Sequence, residues 1–233
     1  MSGWSAVRWT GVLGLGAVIA QLVGIVFGFA GGVPPAIDDA TKLLAYTKSS
    51  HFAVTSGLIL FFVGFSLFIG FIAGFRAIAV VAAADHEWLA TTAFGAGLAT
   101  TVVAFVALGL ALAGYAIAAS SHADAALVRM LAETSAVVGG PPGLVPMAFF
   151  LGAAGSLGAT TRILPRWLAL VGWIGSALVV IVAFSAYGGS DPNAFWSPNG
   201  YVTILAILPL FVWTLGAAVV FVRQKEGAAR LYR

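Results

Sequence analysis

The chain has 233 residues, of which 61% are hydrophobic and 8% charged, with a mean hydropathy of +1.05. Soluble domains carry roughly 25% charged residues, so a soluble fold is excluded and lipid is the expected solvent. The formal charge of +3 comes from a few Lys and Arg at helix ends, which makes nucleic acid a poor partner, and the lack of cysteine excludes disulfides, thiolate metal sites and thiol catalysis.

The length suits one transmembrane domain over residues 1–233. Richness in Ala, Gly, Val and Arg, with three Lys, suggests a GC-rich bacterial genome. No charge falls between Arg8 and Asp38, and about 20 residues span the hydrocarbon, so residues 10–30 are predicted as the first spanning helix. This run exceeds a signal-peptide core of roughly 7–15 residues, so an uncleaved anchor is expected. Gly24 and Gly28 form a small-residue face for close packing.

Residues 37–50 read as a short interfacial helix, with Asp38 and Asp39 near its start and Leu43, Leu44 and Tyr46 as its apolar face. Residues 52–75 form the second spanning helix, ending at Arg76, with Gly70 and Gly74 as another small pair. Asp85, His86, Glu87 and Trp88 lie in an inner connection whose simplest reading is a solvated loop. The third spanning helix covers residues 91–119. Ser121 is the expected N-cap of a second external amphipathic helix over 122–133, with Leu127, Met130 and Leu131 on one face.

The fourth spanning helix, residues 137–160, opens on Gly139, Gly140, Pro141, Pro142, Gly143, Leu144, Val145 and Pro146. Irregular backbone cannot face lipid, so this run is the best pointer to a site. Counting back from Arg162 at 1.5 Å per residue puts Pro146 about 24 Å and Pro141 about 32 Å above the inner marker. Pro141 and Pro142 then form a rim hinge, and Pro146 kinks the helix unless it falls in the first turn. Arg162 and Arg166 bound a tight turn before the fifth helix, 167–187. Asp191, Pro192, Ser197 and Pro198 mark an ordered turn-rich loop, the sixth helix covers 201–222, and Arg223, Lys225, Arg230 and Arg233 form a basic tail.

With a cytoplasmic N-terminus, eight of the eleven Lys and Arg lie inside: Arg8, Arg76, Arg162, Arg166, Arg223, Lys225, Arg230 and Arg233, against Lys42, Lys48 and Arg129. The positive-inside rule therefore places both termini in the cytoplasm of a bacterium, with Trp4, Trp9, Trp88 and Trp167 at the inner interface and Trp196 at the outer one. A shift of 86 residues sets Asp38 on Asp124, Gly57 on Gly143 and Arg76 on Arg162. This raises a tandem two-helix repeat, against a shared plan imposed by topology alone.

No charged residue falls in the middle of a spanning helix, which argues against a proton pump or ion-coupled carrier. Nor is there an intramembrane Lys for a retinal Schiff base or a helical His pair for haem, and no cofactor is expected. The mid-depth polar groups are Gln21, Ser66, Thr100, Thr101, Ser176, Trp213 and Thr214, with Pro209 freeing a carbonyl in the last helix. Either they satisfy one another across helices, or they line a pocket for an apolar molecule with one polar group.

The external face collects Asp38, Asp39, His51, His122, Asp124, Glu133 and Asp191, in no compact metal motif. Solvated charge is the plainer reading. His51, His122, Asp38, Asp124 and Asp191 are the candidates for a metal, and His86 lies on the opposite side. No hydrolase elbow, phosphate loop or dinucleotide fingerprint occurs, so enzyme activity has no positive support and no catalytic residue is assigned.

At Leu164, Pro165, Arg166, Trp167 and Leu168, continuing to Gly172, the chain resembles a family of uncharacterised bacterial six-helix membrane proteins, a domain of unknown function. The shared plan is a basic residue after the second helix, here Arg76, a polar lead into the fourth, and an LPxWL turn opening the fifth. This resemblance implies fold and topology and carries no catalytic residue; the Gly139 to Pro146 run has no counterpart in it.

The expected fold is an all-α polytopic bundle of six transmembrane helices with two short external amphipathic helices. The leading functional expectation is binding or passage of a small hydrophobic or lipid-like molecule, through an outward-opening pocket between the second, third, fourth and sixth helices. Gln21, Thr55, Ser56, Thr100, Thr101, Pro146, Trp213 and Thr214 are its candidate residues. The alternative is a non-catalytic subunit that docks other membrane helices, or copies of itself, through Gly-rich faces; a metal-dependent membrane hydrolase is a third. Gly24, Gly28, Gly70 and Gly74 turned outward onto a flat groove would favour docking, whereas a sealed exterior around a cavity at Gln21 and Trp213 would favour a ligand.

Overall fold

A computed structural model describes residues 6–35, 37, 39–161, 163–188, 195–196 and 202–223. Its helices are α1 (Ala6–Ala30), α2 (Ala40–Ser49), α3 (His51–Ala82), α4 (Glu87–Ala118), α5 (Ala125–Gly139), α6 (Val145–Thr161), α7 (Arg166–Ala183) and α8 (Val202–Arg223). Tight 3₁₀ turns occupy Ala84–His86, Pro141–Leu144 and Phe184–Gly188, and no strand forms among the described residues. Of the described helices, five are long and apolar enough to cross a membrane: α1, α3, α4, α7 and α8. The sixth apolar helix, α6, has 17 residues.

Several boundaries differ from the sequence expectation, each for a local reason. Arg76 does not end its helix, because its side chain reaches over to the start of α4, donating to Glu87 Oε1 at 3.3 Å and Thr91 Oγ1 at 3.4 Å. Asp85 and Glu87 are exposed, as a solvated connection requires, but the segment is a 3₁₀ turn rather than an open loop, and α4 begins at Glu87 rather than at residue 91. The cap of α5 is Asp124, whose carboxylate accepts from the Ala126 amide at 2.8 Å; Ser121 pairs instead with His122 Nδ1 at 2.9 Å. Val137 and Val138, expected in the fourth spanning helix, extend α5 to Gly139, and α6 starts eight residues later than expected, at Val145 rather than 137. Pro146 sits in the first turn of α6, where its missing amide costs no bond. Asp38, Arg162, Asp191, Pro192, Ser197, Pro198, Lys225, Arg230, Arg233 and Trp4 lie outside the described residues.

The six apolar helices form a closed ring in chain order: α1 against α3, α3 against α4, α4 against α6, α6 against α7, α7 against α8, and α8 back against α1. Contact is set by small residues. A Cβ on Gly57 would stand 2.7 Å from the Gly24 carbonyl oxygen, and one on Gly172 would stand 2.7 Å from the Leu151 carbonyl oxygen and 2.8 Å from Gly155 Cα. The ring closes where Gly11 of α1 meets Ala218 and Val222 of α8.

These pairings bring Arg8, Arg76, Arg166 and Arg223 to one end of the bundle, since Thr10 meets Gly74, Gly216 meets Trp167, and Gly11 meets Val222. That half is filled by aromatic rings. Trp213 is fully buried, edge-on to Phe75 and Phe150 at 5.3 Å each and to Phe71 at 6.2 Å.

The opposite end carries α2 and α5, which pack on each other through Leu43 and Val128 over Ala118 of α4. The triplets α1–α2–α3 and α4–α5–α6 share an element order. They differ in detail: α3 has 32 residues against 17 for α6, and Gly57 lies within a helix where Gly143 lies in a 3₁₀ turn.

Gly172→Ala should lower stability by about 1–3 kcal/mol because it overpacks backbone against backbone, whereas Gly28→Ala, with nothing within 4 Å of its Cβ, should be neutral or slightly stabilising. Thermal unfolding in detergent, followed by circular dichroism, reads both. At α2, the Lys42 amide and ammonium hold Asp39 below the usual carboxylate range. Its cap is therefore intact above about pH 4 and is lost as pH falls through the lowered folded value. The protection of the Lys42 amide, the intrinsic exchange rate divided by the observed one at the same pH, should fall on acidification without global unfolding.

Candidate functional site

Above the aromatic half, the ring encloses a cavity of about 360 Å³. Its floor is at Gln21 of α1, and its walls come from Leu58, Phe61 and Phe65 of α3, one face of α4, and Ile207, Leu210 and Phe211 of α8. Its roof is Ser135, Ala136 and Gly139 of α5 with Gly140 and Gly143 of the following turn. The space exists because α4 presents Thr100, Ala104, Ala107 and Ala111 at helical spacing, side chains too short to reach the opposite wall.

Three local features set the roof. Ser135 Oγ donates to the Ala107 carbonyl at 2.8 Å, tying α5 to α4. A Cβ on Gly139 would come to 2.8 Å from Ala107 Cβ. A Cβ on Gly143 would collide with the Val138 carbonyl, so only glycine fits where the chain doubles back from α5 to α6. At the floor, Gly64 makes room for Gln21, because a Cβ there would lie 2.5 Å from Gln21 Cγ and 3.0 Å from the Ala17 carbonyl oxygen.

Gln21 is the polar centre of this site. It is 6% exposed and lines the cavity, and no hydrogen bond among the described residues ends on its carboxamide. Thr100 lines the wall too, its hydroxyl donating to the Ala96 carbonyl at 2.9 Å and keeping its lone pairs free. No ionisable side chain lines the cavity among the described residues.

The remaining candidates lie elsewhere. Thr101 is buried beside the wall and bonds to the Gly97 carbonyl at 3.0 Å. Pro146 lies between Leu144 and Met147, which line the cavity, but does not itself line it. Trp213 and Thr214 are turned into the packed half, where Trp213 Nε1 and Thr214 Oγ1 have no hydrogen-bond partner among the described residues. Gln21 and Trp213 therefore do not satisfy each other. Thr55 and Ser56 are half-buried near the start of α3, off the cavity wall. Ser66 bonds to its own helix at Phe62.

Among the described residues no three metal-type ligands converge. His51 opens α3 with its ring 6.1 Å from that of Tyr115, His122 pairs with Ser121, and Asp124 caps α5; Asp38 and Asp191 lie outside the described residues. A second cavity of about 200 Å³, between Thr47 of α2, Gly114 and Tyr115 of α4, and Val128 and Ala132 of α5, shares Ala111, Ser135 and Ala136 with the first. Sequence reasoning missed the small face of α4 that joins them, although its spacing of three and four residues was there to be read.

Comparison of the chain with protein-family models, curated proteins and solved structures finds no match.

The Gln21 carboxamide bonds to no described residue and faces the cavity, so the near-isosteric Gln21→Met should keep or raise the thermal stability of the delipidated protein. A clear loss of stability would show that the carboxamide is bonded within the chain, and the site would lose its polar centre.

Proposed function

We propose that this chain crosses a bacterial cytoplasmic membrane six times, with both termini inside, and binds or passes a small hydrophobic or lipid-like molecule in the cavity above Gln21. The single observation that carries the binding reading is Gln21, a residue 6% exposed whose carboxamide has no hydrogen-bond partner among the described residues and faces a mostly apolar cavity of ligand size. Among the described residues the wall offers hydroxyls at Thr100 and Ser135 but no ionisable acid or base to activate them, which supports holding or passing a molecule over transforming it.

The six-span reading rests on α6 together with its 3₁₀ lead. Seventeen helical residues rise about 25 Å and the four of Pro141–Leu144 about 8 Å, against a hydrocarbon core of about 30 Å. Orientation follows from charge: among the described residues Arg8, Arg76, Arg166 and Arg223 share one end, together with the exposed Trp9, Trp88 and Trp167. Likeness to the six-helix family belongs to this reading through the turn at Leu164 to Leu168, whose Leu164 and Leu168 are buried in the core.

Glycines spent on contacts within the chain count against docking through them. Gly24 faces Gly57, Gly70 faces Leu13 and Gly74 faces Thr10; only at Gly28, of the four, would an added Cβ meet nothing within 4 Å.

Native mass spectrometry of gently solubilised protein should show a retained lipid or small molecule, and Ala104→Phe, which fills the cavity from α4, should reduce that adduct about tenfold. Retention of a second protein by both forms would support docking instead, and bare monomer from the unsubstituted chain would sink the ligand reading.

A further inference from the structure

The two cavities share Ala111, Ser135 and Ala136 in their linings, so they adjoin end to end along α4. The wall residues on that helix are Thr100, Val103, Ala104, Ala107, Leu108, Ala111, Gly114 and Tyr115. Their spacing of three and four residues puts them on a single helix face. Along it, Thr100 and Tyr115 are fifteen residues apart, about 22 Å at the helical rise of 1.5 Å. One leaflet of the hydrocarbon core is about 15 Å deep, half of roughly 30 Å, so the two chambers together run at least the length of an extended lipid tail.

The polar groups are unevenly placed. Gln21 and Thr100 lie at the inner end, Thr47 and Tyr115 at the outer end, and the middle is Ala104, Ala107, Leu108 and Ala111. Thr47 spends its hydroxyl on the Leu43 carbonyl at 2.7 Å, and Tyr115 faces Ser50 Oγ at 3.5 Å. Gln21 has no such partner among the described residues, and its amide can both donate and accept. No charge at the inner end would compensate a carboxylate or ammonium, whose desolvation is far costlier than that of a hydroxyl or carbonyl.

We infer that the ligand is a single-chain, uncharged amphiphile that enters polar end first, seats one hydroxyl or carbonyl at Gln21, and lays its chain along α4 beneath α5. This rests on the ligand reading above and adds to it the chain number, the charge and the direction. It also gives α5 a role: through the Ser135 bond to Ala107 it covers the place where the two chambers adjoin.

The test uses the full chain in non-ionic detergent, with adducts counted by native mass spectrometry for hexadecanol, hexadecane, palmitate and octanol. Hexadecanol should bind about threefold to tenfold more tightly than hexadecane, the worth of one net hydrogen bond, and palmitate more weakly than hexadecanol. Gln21→Met should erase the preference for the alcohol while keeping hexadecane binding, and Thr100→Val is the second variant should Gln21→Met fail to fold. Ala111→Phe, at the junction, should abolish hexadecanol binding and keep octanol, which fits the inner chamber alone. Equal binding of hexadecanol and hexadecane, a preference for palmitate, or equal loss of both alcohols in Ala111→Phe overturns this inference and leaves the ligand reading standing. Failure of every probe to bind overturns both.

Discussion

Helices that are apolar on every side gain little by meeting one another in lipid, because the lipid tails are as apolar as the partner. What holds such a bundle is how closely backbones can approach and how many atoms then touch. Here that closeness is supplied at a few crossings: Gly24 on Gly57 between α1 and α3, Gly155 on Gly172 between α6 and α7, and Gly11 on Ala218 between α1 and α8. Each removes a Cβ that would otherwise stand within 3 Å of a neighbouring backbone atom. The closed ring of six helices depends on these contacts.

A ring of six helices has a wide centre, and the chain fills only half of it. At the basic end, Trp213 with Phe71, Phe75, Phe150 and Phe221 occupies the axis, Trp213 meeting Phe71, Phe75 and Phe150 edge to face in contacts that each add about 0.5–1.5 kcal/mol beyond their area. Toward α2 and α5 the large rings give way to alanines of α4, and the centre is left open. Gln21 stands at the change from one half to the other. The same arrangement that closes the bundle thus makes a site: a rigid aromatic floor region below, a polar group at its upper edge, and a roof helix tied by Ser135.

The roof explains the Gly/Pro run. Gly139 and Gly143 let the end of α5 and the start of α6 lie close to α4, while the two prolines sit in the turn between them. Irregular backbone at Pro141–Leu144 lies over the cavity, the place where an unsatisfied backbone group is tolerated near lipid. That much was legible in residue order, since glycine and proline break helices wherever they cluster, and Gln21 stood out as a lone carboxamide in a long uncharged run. The amphipathic α2 and α5 were legible as well, because their apolar residues recur on one face. Asp39, expected near the start of α2, caps it, but at α5 Asp124 displaced Ser121, since several polar residues in a row can each serve.

Residue order by itself determined where the helices lie along the chain and that their surroundings are apolar, because polar and apolar stretches contrast along the sequence. It also determined which end carries the basic residues. Tertiary structure alone decided which way each long helix is turned. Gln21 and Trp213 were placed at similar depth by counting, yet one faces a cavity and the other a packed aromatic cluster. A helix that is apolar all round has no polar face to betray its rotation, so that rotation is set by which glycines, alanines and rings fit against one another.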